Sequence, residues 1–310
     1  MSNNTTKPFK KYIAALPLIA KIKIILTDYQ FFNNNPSYYQ NYPSLFASAF
    51  SIEYNKLKLL NIAGFLYYRA TILTDELIDN KNISKFPLIT VCQEESIKIL
   101  THIFGLENNF WELWNQRKNE YLTAIELEQD LKNKKEVTIV DYEMVADYKA
   151  AFGKVAIDAL FCIDNSNVLN YEQLLLSHKY FSVAFQLNDD IQDFKDDLKK
   201  RQFNWAVYLL KQENLTTNDP NILEKYLYIR GISKQIYILG IEYCQKAHDI
   251  VKNIEVPKWK TVLDDTIKSF RTAIIETDNY LEILTSEITL NTEQISQNNI
   301  SIRLPMQLNL

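Results

Sequence analysis

The chain has 310 residues, of which 47% are hydrophobic and 23% are charged, and its formal net charge is −4. These values are ordinary for a globular protein with a sizeable core, and the charge gives no case for binding nucleic acid, which requires a basic face. There are only five glycines and eight prolines. Because sheets and hairpins use glycine whereas long helices do not, the composition predicts an all-α fold.

The sulfur and imidazole side chains limit the kinds of metal site that the chain can build. Cys92, Cys162 and Cys244 lie far apart and lack the spacing of metal-binding pairs, so we expect reduced core thiols in a cytoplasmic protein. Three histidines make a histidine-rich zinc site a poor expectation. Any metal would be held by carboxylates, which favours magnesium. No apolar run reaches the length of about 18 to 20 residues that is needed to span a bilayer, so we expect no membrane span.

In chain order, the sequence predicts a polar tail at residues 1–7, one helical domain at 8–285 and a second polar tail at 286–310. The segment around Pro36 and Pro43 is predicted to be a loop between early helices. Apolar residues at helical spacing then predict a large bundle of eight or more helices. The segments with this spacing are Ile62 to Leu77, Phe110 to Leu127, Val145 to Ile163, Ala184 to Leu198, Ile222 to Ile250 and Trp259 to Leu284.

Acidic residues follow directly after two apolar helical segments. Leu59 to Leu73 is apolar on nearly every face, which predicts a buried helix, and it runs into Asp75, Glu76 and Asp79. The second apolar segment, KYFSVAFQL, runs into NDDIQDFKDD. In that segment Asp189, Asp193 and Asp197 have i, i+4, i+8 spacing and therefore form one stripe.

Carboxylates at the C-terminal end of a helix are unfavourably placed, because the macrodipole there is negative and neighbouring acids repel one another. Such an arrangement, found twice, predicts a compensating cation such as magnesium, which can in turn hold phosphate oxygens. The alternative is that each cluster is a solvated helix face with i,i+4 lysine partners. Lys195, Lys199 and Lys200 would be those partners in the second cluster.

Four motifs, in the expected order, resemble those of the class I isoprenoid synthases, which include trans-prenyltransferases and class I terpene synthases. The motifs are DELID (75–79), YKAAFGKVA (148–156), FQLNDDIQD (185–193) and DLKKRQFNW (197–205). The resemblance implies a single-domain helical bundle that ionises a prenyl diphosphate with magnesium. It also implies a homodimer.

The resemblance assigns roles to particular residues. Asp75 and Asp79 would bind two magnesium ions, and Asp189, Asp193 and Asp197 would bind a third. Gln186 and Lys154 would orient or neutralise the diphosphate. Gln202 stands where the family has lysine, and Lys200 or Arg201 would substitute for it. Further substrate-binding candidates are Arg69, Tyr68, Phe152 and Phe181, and the aromatic ones, with Tyr67, would stabilise an allylic cation unless they only pack in the core.

Two departures from the family favour a terpene synthase that acts on one substrate. Chain-elongating members carry a glycine-lysine-arginine segment before the first motif and an arginine pair after it, which bind isopentenyl diphosphate. This chain offers NKLKLL before the motif, and NKNISKFP, without arginine, after it. The alternatives are a trans-prenyltransferase, by elongation or head-to-head condensation, and a catalytically silent modulating subunit. Because Ala70 and Thr71 are small, we expect farnesyl or geranylgeranyl diphosphate as the substrate.

Overall fold

The structure is a computed structural model that describes residues 6–33, 37–213, 215 and 217–293. Side chains are not described at residues 29, 33, 37, 75, 79, 80 and 284–293. Every regular element in the described residues is helical, which confirms the all-α prediction and the expectation of eight or more helices. None of the described helices is both long and apolar enough to cross a bilayer.

Fourteen α-helices lie in the described residues. They are α1 (Thr6–Ala15), α2 (Ala20–Thr27), α3 (Tyr29–Asn33), α4 (Tyr54–Asn80), α5 (Phe86–Phe104), α6 (Phe110–Asn133), α7 (Ile139–Lys149), α8 (Ala151–Ile163), α9 (Val168–Gln192), α10 (Phe194–Lys200), α11 (Trp205–Lys211), α12 (Pro220–Ile229), α13 (Ile232–Ile250) and α14 (Pro257–Glu293). Three 3₁₀ segments span Ser37–Leu45, Ala47–Ala49 and Ile83–Lys85.

The first of two compact units is formed by the described residues within 6–118, 152–175 and 253–259. In it, α4 packs against α5 and against the 3₁₀ segment Ser37–Leu45. The α4 face that makes these contacts is apolar, and a buried hydrogen bond of 2.9 Å from Ser96 Oγ to the Ala63 carbonyl oxygen joins α5 to it. The segment around Pro43 was predicted as a loop, and in the structure it is largely 3₁₀ helix.

The second unit is formed by the described residues within 119–151, 176–252 and 260–293. Its apolar core is contributed by α6, α7, α9, α10, α11, α12, α13 and α14. The helices α13 and α14 approach closely at Gly240, where an added Cβ would lie 2.5 Å from the Phe270 ring. A glycine is therefore needed at this crossing.

Two predicted continuous helices are interrupted. Gly231 has a φ of 70° and separates α12 from α13, since this left-handed conformation ends a helix and favours glycine. Ala150 separates α7 from α8, and neither glycine nor proline marks that break in the sequence. The periodicity of apolar residues continued across both breaks, and for that reason it did not reveal them.

The predicted domain boundaries stay predictions. Helix α14 continues through the proposed boundary at residue 286 and ends at Glu293, and residues 1–5 and 294–310 lie outside the described part. The three cysteines are free, as expected, with Cys92 and Cys244 buried. Burial raises the pKa of each of these two thiols to about 12, so both are protonated near neutral pH.

Candidate functional site

The second acidic cluster is a stripe of three aspartates that follows the end of α9. Asp189 lies in the last turn of α9, Asp193 stands between α9 and α10, and Asp197 lies in the first turn of α10. Backbone hydrogen bonds of 2.8 Å from Asp193 N to the Asp189 oxygen and 2.9 Å from Asp197 N to the Asp193 oxygen bridge the break. Helical spacing is thereby kept, and the predicted stripe is continuous.

Negative charge is concentrated in this stripe. Burial, followed by the charge of Asp193, raises the pKa of Asp189 to about 6. Burial is also the main cause that raises the pKa of Asp193 and that of Asp197. Carboxylates that are both desolvated and mutually repelling are stabilised by a cation, so the stripe has the electrostatic character expected of a cation site.

Lys149 supplies positive charge to the stripe. This lysine ends α7. Its charge acts to lower the pKa of Asp189, Asp193 and Asp197, against the larger opposite effect of burial. Burial acts to lower the pKa of Lys149 itself, but the charges of Glu128 and Asp190 outweigh it, so that this pKa is raised. An ion pair of 3.2 Å between Lys149 Nζ and Glu128 Oε1 holds the ammonium group.

The lysine assigned by resemblance, Lys154, lies five residues further on and belongs to the first unit, where it is only 5% exposed. Its role in binding diphosphate stays a prediction. The motif YKAAFGKVA contains two lysines, and the sequence alone assigned the second of them. Within the second unit, the charge of Lys149 acts on all three aspartates of the acidic stripe.

Gln186, predicted to contact the diphosphate, is engaged with acids. Its Nε2 donates to Asp190 Oδ1 at 2.9 Å and lies 3.4 Å from Asp189 Oδ2. Asn204, which sequence reasoning missed, donates from Nδ2 to Asp197 Oδ2 at 2.9 Å. These amides fix two members of the stripe and leave the exposed Asp193 as its least restrained acid.

Asp190 is a second residue that sequence reasoning missed. It is 2% exposed, and burial raises its pKa to about 7. Its carboxylate accepts hydrogen bonds from the Tyr142 hydroxyl at 3.0 Å and from the Trp205 backbone nitrogen at 2.7 Å. A sequence signal was present, since Asp190 lies three residues after Leu187 and four before Phe194, on the apolar face of the helix.

The donor chemistry of the stripe fits magnesium, which prefers carboxylate oxygens. Among the side chains that the structure describes, no group of three or more His, Cys, Asp or Glu residues is close enough to hold an ion by itself. A magnesium ion typically keeps several waters and binds through one or two carboxylates plus substrate phosphates. Asp189 and Asp193 are the carboxylates that would hold it, with Asp197 beside them.

The first motif lies, as predicted, at the C-terminal end of α4. The side chains of Asp75 and Asp79 fall outside the described part of the structure, so their role as metal ligands stays a prediction. Glu76 forms an ion pair of 3.0 Å between its Oε2 and Lys85 Nζ. One of the two lysines that follow the motif is therefore already paired with an acid of the motif.

The other predicted substrate-binding residues are divided between the two units. In the first unit, Arg69 is buried with its Cζ 4.6 Å from the centroid of the Phe31 ring, and burial lowers its pKa. Tyr68 stacks on Tyr39 with 4.3 Å between ring centroids, and Phe152 packs 5.0 Å from Tyr67.

In the second unit, Phe181 is buried 6.2 Å from Phe185, measured between ring centroids. Lys200 and Arg201 are exposed at the end of α10, where Arg201 has a φ of 55°. The charge of Lys200 lowers the pKa of Asp193, so of these two cations Lys200 is the one that acts on the stripe.

Comparison with known proteins gives a fold relationship. No protein-family model and no curated protein sequence matches the chain. Geranylgeranyl pyrophosphate synthetase from the archaeon Geoglobus acetivorans is similar in structure, with a TM-score of 0.66 at 14% identity over 86% of this chain and 99% of that one. Heptaprenyl diphosphate synthase from Staphylococcus aureus has a TM-score of 0.69 at 14% identity over 87% of this chain and 98% of that one.

A third similar structure is polyprenyl synthase from Caulobacter crescentus CB15, complexed with calcium and isoprenyl diphosphate. Its TM-score is 0.66 at 12% identity, over 84% of this chain and 92% of that one. The TM-scores show a shared fold. At identities this low, the activity of the chain has to be argued from its own site.

Proposed function

The chain has the fold of the class I isoprenoid synthases, and on that basis we propose that it is a metal-dependent trans-prenyltransferase. It binds an allylic prenyl diphosphate, ionises it and joins the prenyl group to a second substrate. The observation that carries the proposal is the stripe of Asp189, Asp193 and Asp197, with Lys149 beside it, at the end of a helix in an apolar core. The names of the similar structures support transfer over cyclisation, the reverse of the sequence-based preference.

The aspartates of the stripe and Lys149 have different roles in this proposal. Asp189 and Asp193 would provide the carboxylate oxygens for magnesium, which would neutralise charge on the departing diphosphate. Lys149, which is held by Glu128, donates hydrogen bonds to diphosphate oxygens as the C–O bond breaks and its electron pair passes to the diphosphate. Asp197 is fixed by Asn204 and completes the acidic face. The predicted ligands Asp75 and Asp79 and a count of three magnesium ions belong to the same proposal.

A second candidate is a terpene synthase that cyclises or eliminates from one prenyl diphosphate. The observation in its favour is the scarcity of cations after the first motif. That segment has no arginine, and Lys85, one of its two lysines, is paired with Glu76. A second dianionic substrate would therefore have few anchors in this part of the chain.

Product analysis separates the two candidates. Purified protein with magnesium receives geranyl, farnesyl or geranylgeranyl diphosphate, with and without isopentenyl diphosphate, and gas chromatography with mass spectrometry follows phosphatase treatment. The proposal predicts a longer prenyl alcohol only when both substrates are present. A hydrocarbon formed from one substrate alone would establish the second candidate. No product in any mixture would contradict both and favour a modulating subunit.

Lys149→Gln tests the assignment of the diphosphate cation. The substitution removes the charge and keeps most of the side-chain volume, so we expect kcat/KM for the allylic substrate to fall by about two orders of magnitude. Lys199→Gln is the matched control, because Lys199 is exposed on α10 and faces Asp196 at 3.8 Å. Equal, small effects of the two substitutions would remove Lys149 from the site.

Sedimentation of the same proteins tests the expected homodimer.

A further inference from the structure

Asp190 points into the protein although it stands beside Asp189 in an acidic motif. Consecutive residues on a helix differ by about 100° in direction, so the two carboxylates face different ways. Asp190 is 2% exposed, and both of its carboxylate oxygens are occupied. Oδ1 accepts from Gln186 Nε2 at 2.9 Å, and Oδ2 accepts from the Tyr142 hydroxyl at 3.0 Å and from the Trp205 backbone nitrogen at 2.7 Å.

These partners join three helices. Gln186 lies on α9 itself, Tyr142 lies on α7, and Trp205 is the first residue of α11. The backbone N–H of a first helical residue has no acceptor within its own helix. The Trp205 amide therefore depends on Asp190 for its hydrogen bond, and the start of α11 is tied to the end of α9.

Asn204 extends this arrangement to the acidic stripe. Its Nδ2 donates to the backbone oxygen of Asp190 at 2.7 Å and to Asp197 Oδ2 at 2.9 Å. Its Oδ1 accepts from the Val207 backbone nitrogen at 3.0 Å, which fixes the orientation of the amide. The position of Asp197 is thus coupled, through Asn204, to the segment that Asp190 anchors.

We propose that Asp190 binds no metal and is instead a positioning residue, which holds α7, α9 and α11 together and thereby sets the geometry of Asp189, Asp193 and Asp197. This inference rests on the function proposed above for the stripe. Its carboxylate is needed as an acceptor of three hydrogen bonds from neutral donors. An asparagine at this position keeps an oxygen that accepts hydrogen bonds, whereas a magnesium ligand needs the carboxylate.

Asp190→Asn and Asp189→Asn form a matched pair, since the chemical change is the same at adjacent positions. In Asp190→Asn the remaining oxygen can keep Tyr142 and Trp205, while the new amide faces Gln186, whose own amide can turn to accept. We expect the magnesium concentration for half-maximal turnover to stay within about threefold of wild type, whereas Asp189→Asn raises it by more than about tenfold. Equal increases for the two variants would overturn the inference.

Hydrogen exchange at the Trp205 amide provides a readout that a general loss of stability would not move selectively. We expect Asp190→Ala to lose protection at Trp205 while core amides of α13 stay protected, and Asp190→Asn and Asp189→Asn to retain it. Unchanged protection at Trp205 in Asp190→Ala would overturn the inference. If the wild-type protein turns over no prenyl diphosphate, the proposed function fails, and the exchange result still decides whether Asp190 holds this segment.

Discussion

Among the side chains that the structure describes, each compact unit has an aspartate that is at most 2% exposed, and the two aspartates have different hydrogen-bond partners. In the first unit, Asp158 is 0% exposed and forms two bonds with Arg117, at 2.8 Å to Nε and 3.1 Å to Nη2, and a third of 2.8 Å with the Tyr171 hydroxyl. In the second unit, Asp190 is bonded only to the neutral donors of Tyr142, Gln186 and Trp205.

The comparison separates two uses of a buried carboxylate. Asp158 is needed for its charge, because it forms a buried ion pair with the Arg117 guanidinium, and removing one charge of a buried pair is strongly destabilising. Asp190 is needed for its shape and its lone pairs, and burial raises its pKa to about 7 although the charge of Lys149 acts to lower it. Substitution by asparagine keeps the shape and removes the charge, so it should affect the two sites differently.

The largest expected effect is that of Asp158→Asn. It removes the negative charge from the buried pair with Arg117, which we expect to lower the free energy of unfolding by about 3 kcal/mol. Urea denaturation followed by circular dichroism measures this loss. Lys234→Gln is the control, since it breaks the half-exposed pair of Lys234 with Asp278 and should cost less than about 1 kcal/mol. A loss for Asp158→Asn as small as that of the control would contradict the assigned role of its charge.

A smaller effect is expected for Tyr142→Phe. The substitution removes one of the three donors to Asp190 and leaves the ring in place, so we expect the free energy of unfolding to fall by about 1 kcal/mol. The same denaturation experiment checks it, with Tyr54→Phe as a control because Tyr54 is 75% exposed. If Tyr142→Phe and the control gave the same stability, the hydroxyl would contribute nothing to the arrangement around Asp190.

The smallest effect is expected where a buried polar group has no partner at all. Among the described residues, Ser233 Oγ on α13 and Thr277 Oγ1 on α14 are buried and make no hydrogen bond. Ser233→Ala should therefore change the free energy of unfolding by less than about 0.5 kcal/mol, or raise it, since no bond is lost and a desolvated hydroxyl is removed. A clear loss of stability would show that the hydroxyl has a partner, such as a buried water.

The sequence predicted the helical class and the position of both acidic clusters, because apolar periodicity and i, i+4, i+8 spacing are local properties. The resemblance assigned Lys154 to the diphosphate, and that role stays a prediction, whereas the effect of Lys149 on the stripe depends on tertiary structure. Two of the three partners of Asp190 come from α7 and α11, 48 and 15 residues away along the chain, and no local pattern identifies them.

The most direct test of the central claim is calorimetric titration of inorganic pyrophosphate into the purified protein, with magnesium and again with a chelator. The account predicts binding that requires magnesium, weakens strongly in Asp189→Asn and weakens in Lys149→Gln. Binding that is equally strong with the chelator present, or no binding with magnesium, would contradict the claim that the stripe of Asp189, Asp193 and Asp197 holds a diphosphate through a metal ion.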